Sequence, residues 1–77
     1  AEKDNNKNAK IGKYIITDNS ERNYIHTDND KLVILNDMSD YIVINTDNAL
    51  LICKRENEEQ VKDLLLKAKL EFGEEII

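Results

Sequence analysis

The sequence Tyr-Ile-Ile-Thr at residues 14–17 returns in related form every 18 residues, as Leu-Val-Ile-Leu at 32–35 and Leu-Leu-Ile-Cys at 50–53. Half a period away, Tyr-Ile-His-Thr at 24–27 matches Ile-Val-Ile-Asn at 42–45. Short runs rich in Ile, Val and Tyr are typical of β-strands. A fixed period indicates one short unit stacked on itself, with each copy burying the face of the next.

Polar segments separate these runs and predict turns. Proline is absent and the two glycines are Gly12 and Gly73, so asparagine and aspartate must form the turns. Both residue types tolerate left-handed backbone and hydrogen-bond to their own main chain. The predicted turns are Thr17-Asp18-Asn19, Thr27-Asp28-Asn29, Asn36-Asp37 and Thr46-Asp47-Asn48.

Two mainly β folds are compatible with this spacing. Strands 8–12 residues apart are common in an antiparallel meander, here followed by a helix. A parallel coil also explains why like side chains recur at a separation of 18, which is the length of one coil of a left-handed β-helix. The runs are apolar on both faces, as expected when one face looks into the coil and a helix covers the other. We therefore predict a short parallel, left-handed β-helix or β-roll over residues 11–54, with the meander as the alternative.

The period changes after residue 54 to that of an amphipathic helix. Apolar residues fall at i, i+3, i+4 and i+7: Val61, Leu64, Leu65 and Ala68. The sequence predicts a helix over about 57–72, with Asn57 and Gln60 as a capping box and Gly73 after its last residue. Residues 1–10 are predicted to be a mobile linker, and 55–77 the helix and tail of the same single domain.

Composition excludes several classes of function. A net charge of −5 disfavours nucleic acid and anionic membranes as partners, because both reward clustered Lys and Arg. A single cysteine fits a reducing cytoplasm, and neither a signal peptide nor an apolar run of membrane-spanning length is present. The chain begins at Ala1 in a linker-like stretch, so we expect it to be a piece of a longer protein.

Candidate ligands and nucleophiles are few. His26 is interpreted as a strand residue, because its neighbour one period on is Ile44 and structural zinc needs four N or S ligands. Cys53 ends an apolar run without a histidine or basic cluster beside it, which predicts a buried, inert thiol. Residues 28–30, Asp-Asn-Asp, lack the glycine and closing glutamate of a calcium loop and predict a turn.

The remaining polar candidates also have structural interpretations. Three carboxylates lie in the predicted turns and are expected to be solvated rather than paired in one cleft: Asp18, Asp37 and Asp47. Three tyrosines near strand starts lack the basic neighbours of a base-stacking platform and are predicted to pack: Tyr14, Tyr24 and Tyr41. The residues therefore predict no catalytic, cofactor-binding or metal-binding site in this chain.

Two neighbouring segments carry a family resemblance: Asp-Tyr-Ile-Val-Ile-Asn-Thr-Asp-Asn-Ala-Leu-Leu-Ile-Cys at 40–53 and Glu-Gln-Val-Lys at 59–62. Together they resemble the C-terminal end of mannose-1-phosphate guanylyltransferases. Upstream, residues 23–27 and 30–35 look like the preceding strands of that family. The similarity covers about residues 11–70, and its core at 46–51 is fairly specific because a turn and a strand start must both match.

The resemblance implies a larger enzyme that joins mannose 1-phosphate to GTP, giving GDP-mannose and pyrophosphate. An N-terminal catalytic domain would bind GTP and Mg²⁺, and this chain would be its inactive accessory domain, packed against it and serving homo-oligomer formation. A small chain with an open coil end should self-associate. Two alternatives remain: a stand-alone protein–protein adaptor using the wide helix face that includes Leu66 and Leu70, or a small sugar-binding module.

Overall fold

The computed structural model describes residues 2–3 and 6–74, in which seven β-strands precede two consecutive helices. The strands are β1 (Glu2–Lys3), β2 (Ala9–Ile11), β3 (Ile15–Asp18), β4 (Tyr24–Thr27), β5 (Val33–Asn36), β6 (Tyr41–Asn45) and β7 (Leu50–Lys54). A 3₁₀ helix (Arg55–Gln60) leads into α1 (Val61–Phe72).

The strands from β2 to β6 alternate between two sheets. Sheet A has the order β1-β2-β4-β6-β7, and sheet B consists of β3 and β5. In sheet B, Ile15 pairs with Val33 in a parallel ladder, and in sheet A Tyr24 pairs with Ile42, also in parallel. Both pairs are 18 residues apart. The predicted parallel stacking is confirmed for these four strands, and the antiparallel alternative is wrong for them.

The predicted third copy of the repeat does not stack as expected. Residues 50–53 match 32–35 in sequence, yet β7 runs antiparallel to β6, with Ile52 opposite Val43. The reversal is tight: the Thr46 amide donates to the Ala49 carbonyl at 2.8 Å, and the Ala49 amide donates to Thr46 Oγ1 at 3.2 Å. Four residues suffice for a hairpin but not for the crossover that a parallel strand requires. Sheet B therefore ends at β5.

The N-terminal stretch is ordered where the sequence predicted a mobile linker. Residues 9–11 form β2, which pairs in parallel with β4, and Asn8 is fully buried. The prediction is wrong there because Asn8 supplies hydrogen bonds that the interior needs. Ala9 lies opposite Tyr24, an offset of 15 rather than 18. Residues 1, 4, 5 and 75–77, which carry parts of the predicted linker and tail, lie outside the described residues.

Gly12 follows β2 directly and lies very close to Thr27, the last residue of the neighbouring strand β4. Its φ is +140°, and a Cβ atom at this position would lie 2.1 Å from Thr27 Cγ2. Only glycine combines this backbone conformation with such a close approach.

The apolar core lies between the two sheets. Its buried centre consists of Ile25 and Val43 from sheet A and Leu35 from sheet B. Ile15, Val33 and Met38 are partly buried and pack against it. The parallel registers place residues of like size one above the other, which is the physical origin of the repeat seen in the sequence.

Asparagine side chains connect successive windings inside the fold. The Asn23 Nδ2 atom donates to Asn8 Oδ1 at 3.0 Å and to the Met38 carbonyl at 2.8 Å, and Asn23 Oδ1 accepts from the Tyr41 amide at 2.9 Å. Asn45 Nδ2 donates to Thr27 Oγ1 at 2.9 Å. Among residues 6–74, every buried side-chain N or O atom has a hydrogen-bond partner, as a stable interior requires.

The corners of the windings use left-handed backbone. Asn19 and Asp37, 18 residues apart, have φ of 50° and 56°, as the turn chemistry predicted. Arg22 and Asp40, also 18 apart, have φ of 55° and 64°. Arginine rarely adopts this conformation, so the Arg22 corner depends on its surroundings.

The C-terminal helix begins later than predicted. Asn57 has φ −101° and ψ 19° inside the 3₁₀ segment, and Gln60 makes no side-chain cap at the start of α1, so the predicted capping box is wrong. The Arg55 amide donates to the Asp40 carbonyl at 2.8 Å, which fixes the entry to this segment by tertiary contact. Gly73 follows α1 as predicted, with φ 102° and its amide bonded to the Lys69 carbonyl.

Candidate association surface

The outer face of sheet B is apolar and uncovered. Side chains alternate along β3 and β5, so that Ile15, Val33 and Leu35 point inward while their neighbours point outward. The outward central pair is Ile16 and Ile34, which are register partners and are 51% and 61% exposed. We call this surface the sheet B face, and its outward side chains are Tyr14, Ile16, Asp18, Leu32, Ile34 and Asn36.

A helix was predicted to cover the second apolar face of the strands, and this holds for one sheet only. Leu65 of α1 lines the same small gap as Ile44 and Leu51, on the outer side of sheet A. Tyr14 and Leu32 on sheet B remain 51% and 52% exposed. A single helix cannot lie on both sides of a two-sheet fold, so sheet B keeps an apolar surface.

Sheet B also leaves strand edges open. Each of its two strands pairs on one side only within the described residues, as do β1 and β7 at the two ends of sheet A. The free edge of β5 carries neither proline nor charge, although edge strands are usually protected in one of these ways. Beside it, Leu50 and Ile52 line a groove of about 200 Å³ together with Leu32 and Ile34.

Charges lie at the two ends of the sheet B face. At the end where its strands begin, Lys13 Nζ lies 3.3 Å from Asp30 Oδ1, and Lys31 precedes Leu32. At the opposite end lie Asp18 and Asp37, both exposed. Asn36 Nδ2 donates to Asp18 Oδ2 at 2.7 Å, and Asn19 Nδ2 donates to Asp37 Oδ1. The face is therefore apolar at its centre, more basic at one end and acidic at the other.

An ion cluster closes one corner of the fold. Arg22 donates through Nε and Nη2 to both Asp40 oxygens, at 2.9 and 3.0 Å, and through Nη1 to Glu21 Oε2 at 2.7 Å. The hydrogen bond from Arg22 is the main cause of a lowered pKa of the Asp40 carboxyl, and the pKa of the Arg22 guanidinium is raised in turn. Arg55 Nη1 donates to the Arg22 carbonyl at 3.0 Å. Arg22 and Asp40 satisfy each other, so this pair joins two windings, while Arg55 also lines the neighbouring cleft.

A cleft of about 340 Å³ lies between sheet A and the helical segment. Its floor is formed by Tyr24, Ile42 and Ile44. Its helical side is formed by Arg55, Glu58, Val61 and Lys62. The cleft is where the helix rests incompletely on the sheet, since α1 contains no buried residue.

The structure places the predicted histidine and cysteine on strands. His26 lies on β4 opposite Ile44, as predicted, and its Nε2 is 2.5 Å from Asp28 Oδ1. Cys53 lies opposite Ile42 and is half-buried, so the predicted full burial is wrong. It lies on β7, the last strand of sheet A, where no further strand covers it. No group of three or more His, Cys, Asp or Glu in residues 6–74 is arranged to hold a metal ion.

The predicted turn carboxylates are exposed, as expected, and two of them are neighbours. The Asp37 amide donates to the Asp18 carbonyl at 3.0 Å, while Asp47 lies in the β6–β7 hairpin. Residues 28–30 form the predicted turn, in which Asn29 Oδ1 accepts from the Lys31 amide at 2.9 Å.

The tyrosines have three different environments. Tyr24 is half-buried in the cleft, and Tyr41 is half-buried with Lys54 Nζ 4.6 Å from its ring centroid. Tyr14 is exposed on the sheet B face, where the prediction of packing is wrong for the chain taken alone.

The sequence analysis missed the Arg22–Asp40 pair and the sheet B face. The first carries a usable signal, because two residues of opposite charge 18 positions apart lie side by side in a fold of that period. The second has no signal in the sequence, because apolar runs do not state which side a helix will cover. Within the described part of the chain, no helix has the length and apolar content of a membrane span.

Stacked parallel strands in two sheets, with a helix on one side, define a small β-coil domain with an exposed apolar face on sheet B. The chain belongs to the family described as "MannoseP isomerase/GMP-like beta-helix domain", whose model matches residues 12–67. No curated protein matches the chain.

Proposed function

We propose that this chain is the non-catalytic accessory domain of a mannose-1-phosphate guanylyltransferase, used for subunit association and for packing against an N-terminal catalytic domain. The single observation that carries the proposal is the family match over residues 12–67. The sequence resemblance to guanylyltransferases spans nearly the same region. The parent enzyme would act in the cytoplasm and join GTP to mannose 1-phosphate with the help of Mg²⁺, releasing pyrophosphate.

The arrangement of polar groups supports a non-catalytic role. The only histidine, His26, contacts a turn carboxylate, and Cys53 lies among apolar strands. Asp18 and Asp37 are both exposed and each accepts a hydrogen bond from an asparagine. Nucleotide transfer needs preorganised groups around the phosphates, and such groups belong in this proposal to the catalytic domain. The finer architecture, a left-handed coil of about 18 residues, is part of the same proposal, and its length is supported by the registers of two of the three parallel strand pairs.

Enzymatic inactivity of the chain is tested directly. Purified chain is incubated with GTP, mannose 1-phosphate and Mg²⁺, and pyrophosphate release is followed by a coupled assay. We expect no release above the protein-free control, and no heat in calorimetric titrations with GTP. Turnover by the chain alone would overturn the accessory role.

A second candidate function, binding of a small sugar ligand, is favoured by one observation. The cleft between sheet A and the helical segment combines an aromatic ring, Tyr24, with the charged side chains of Arg55 and Lys62. Titration of mannose 1-phosphate and GDP-mannose into the chain, with Tyr24→Ala as the control variant, tests this function. Flat titrations remove it.

A third candidate, a protein–protein adaptor, is favoured by the exposed side of α1. Leu66, Leu70 and Phe72 are 55%, 79% and 67% exposed. The double variant Leu66→Glu, Leu70→Glu should abolish partner binding if the helix is the docking face. Unchanged partner binding would remove this candidate.

A further inference from the structure

We propose that the sheet B face is the contact between two copies of this chain, packed face to face about a two-fold axis that runs across the strands. The inference rests on the association role proposed above and assigns it to one surface. In this arrangement β3 lies over β3 of the second copy and β5 over its β5, with strand directions opposed.

The centre of the face is suited to sheet-on-sheet packing. Ile16 and Ile34 are neighbours in register, more than half exposed, and flanked along their strands by Tyr14 and Leu32. Reversing the strand direction places Ile16 over Ile16 and Ile34 over Ile34 of the second copy. Two apolar sheet faces packed in this way stand about 10 Å apart and interdigitate their side chains. Apolar patches of this kind mark association sites in soluble proteins.

The charges at the ends of the face select the second copy as occupant. Lys13 precedes β3 and Asp18 ends it, whereas Lys31 precedes β5 and Asp37 follows it. Asp30 lies 3.3 Å from Lys13, so the end with the two lysines keeps one net positive charge. When the strands are opposed, the more basic end of each copy lies over the end of the other copy that carries Asp18 and Asp37. The alternative two-fold packing, with strands parallel, would place like charges together. A surface that complements itself after a two-fold rotation is the requirement of an isologous dimer.

The contrast with the other exposed apolar surface supports the assignment. The exposed side of α1 carries Leu66 and Leu70 on a single helix, not on a paired sheet face. On sheet B, an apolar centre lies between a more basic end and an acidic end, and the free edge of β5 lies beside it. The edge adjoins the face, so the same contact shields part of it from solvent and from uncontrolled strand addition.

Sedimentation equilibrium of the purified chain tests the apolar centre. We expect a monomer–dimer equilibrium for the unaltered chain, weakened at least about a hundredfold by Ile34→Lys because the contact would bury a charge. Ile34 is 61% exposed, so the variant should retain its far-UV circular dichroism and cooperative melting. The matched control is Leu70→Lys on the opposite side, where dimerisation should be unchanged. A monomeric unaltered chain, or equal effects of both variants, would overturn the inference.

Charge reversal tests the orientation. Lys13→Glu and Asp18→Lys should each weaken the dimer roughly tenfold, because each places like charges together at two symmetric positions. The double variant restores opposite charges across the two-fold axis, so its dissociation constant should return towards that of the unaltered chain. Additive weakening in the double variant would overturn the opposed-strand packing.

The outcomes separate this inference from the proposed function. An inactive chain that remains monomeric overturns the dimer and leaves the accessory role in place. A chain that dimerises through sheet B and also releases pyrophosphate supports the dimer and overturns the accessory role.

Discussion

Sheet A and sheet B are built from similar apolar runs but are finished differently. Sheet A ends in the antiparallel strands β1 and β7, and the helical segment lies on its outer side. Sheet B has only two strands, and Ile16 and Ile34 are exposed on its outer face. The difference shows that an apolar run indicates what must be buried but not whether the same chain buries it. In this domain one sheet is completed internally, and we propose that the other is completed by association.

The largest expected effect is the difference in unfolding free energy between an alanine substitution in the core and the same substitution on the sheet B face. Ile25→Ala removes a fully buried side chain at the centre of the core and should lower the free energy of unfolding by about 2–5 kcal/mol. Ile16→Ala, the same change on the exposed face, should alter it by no more than about 0.5 kcal/mol. Urea denaturation at a concentration where the chain is monomeric measures both values. Equal losses would show that the two positions are buried alike.

The next effect compares two asparagines that link windings. Asn23→Ala leaves the part-buried Tyr41 amide without its acceptor and removes one of the two donors to the Met38 carbonyl, which keeps the Glu21 amide; it should cost about 2–3 kcal/mol. Asn36→Ala removes a hydrogen bond to Asp18 on the exposed face and should cost less than about 1 kcal/mol. Thermal unfolding followed by circular dichroism ranks the two variants. A smaller loss of stability for Asn23→Ala than for Asn36→Ala would show that the interior asparagine hydrogen bonds are not needed for stability.

A moderate effect is expected where the helix meets sheet A. Leu65 is half-buried and lines a gap with Ile44 and Leu51, whereas its neighbour Leu66 is 55% exposed. Leu65→Ala should cost about 1 kcal/mol, and Leu66→Ala a few tenths at most. If denaturation gives the reverse order, the helix covers sheet A with a different side.

The smallest effect concerns the corner that connects the windings. The pKa of Asp40 is lowered in the folded chain, chiefly by the hydrogen bond from Arg22. The carboxylate therefore contributes stability above the pKa of an unfolded aspartate, near 3.9, and this contribution is lost as pH falls through the lowered folded value. Asp40→Asn keeps a side chain suited to left-handed backbone. Its melting temperature should decline less between pH 5 and pH 2.

The pair itself is checked by a double-mutant cycle on the melting curves. Arg22→Gln should flatten the acid dependence in the same direction as Asp40→Asn, and the double variant should add little further. Independent, additive changes would show that the two groups do not act together.

The parallel stacking was predictable because the 18-residue recurrence reflects direct contact between residues one winding apart. The same reasoning failed for residues 50–53, since an apolar run suits a parallel strand and a hairpin strand equally, and the four-residue connection after β6 decided between them. It failed also for residues 8–10, which have little apolar content. Their burial depends on asparagine hydrogen bonds that hydrophobic periodicity does not register.

The sequence by itself determined the repeat, the strand and turn residues and the C-terminal helix, because each follows from local pattern or from contacts at a fixed spacing. The family was indicated by resemblance of the segments at 40–53 and 59–62. Only the tertiary structure decided the direction of β7, the burial of Asn8 and the side on which α1 lies. These depend on how distant segments share one small interior. The exposed sheet B face is the result of that competition, since one helix can cover one side of the fold and leaves the other side uncovered.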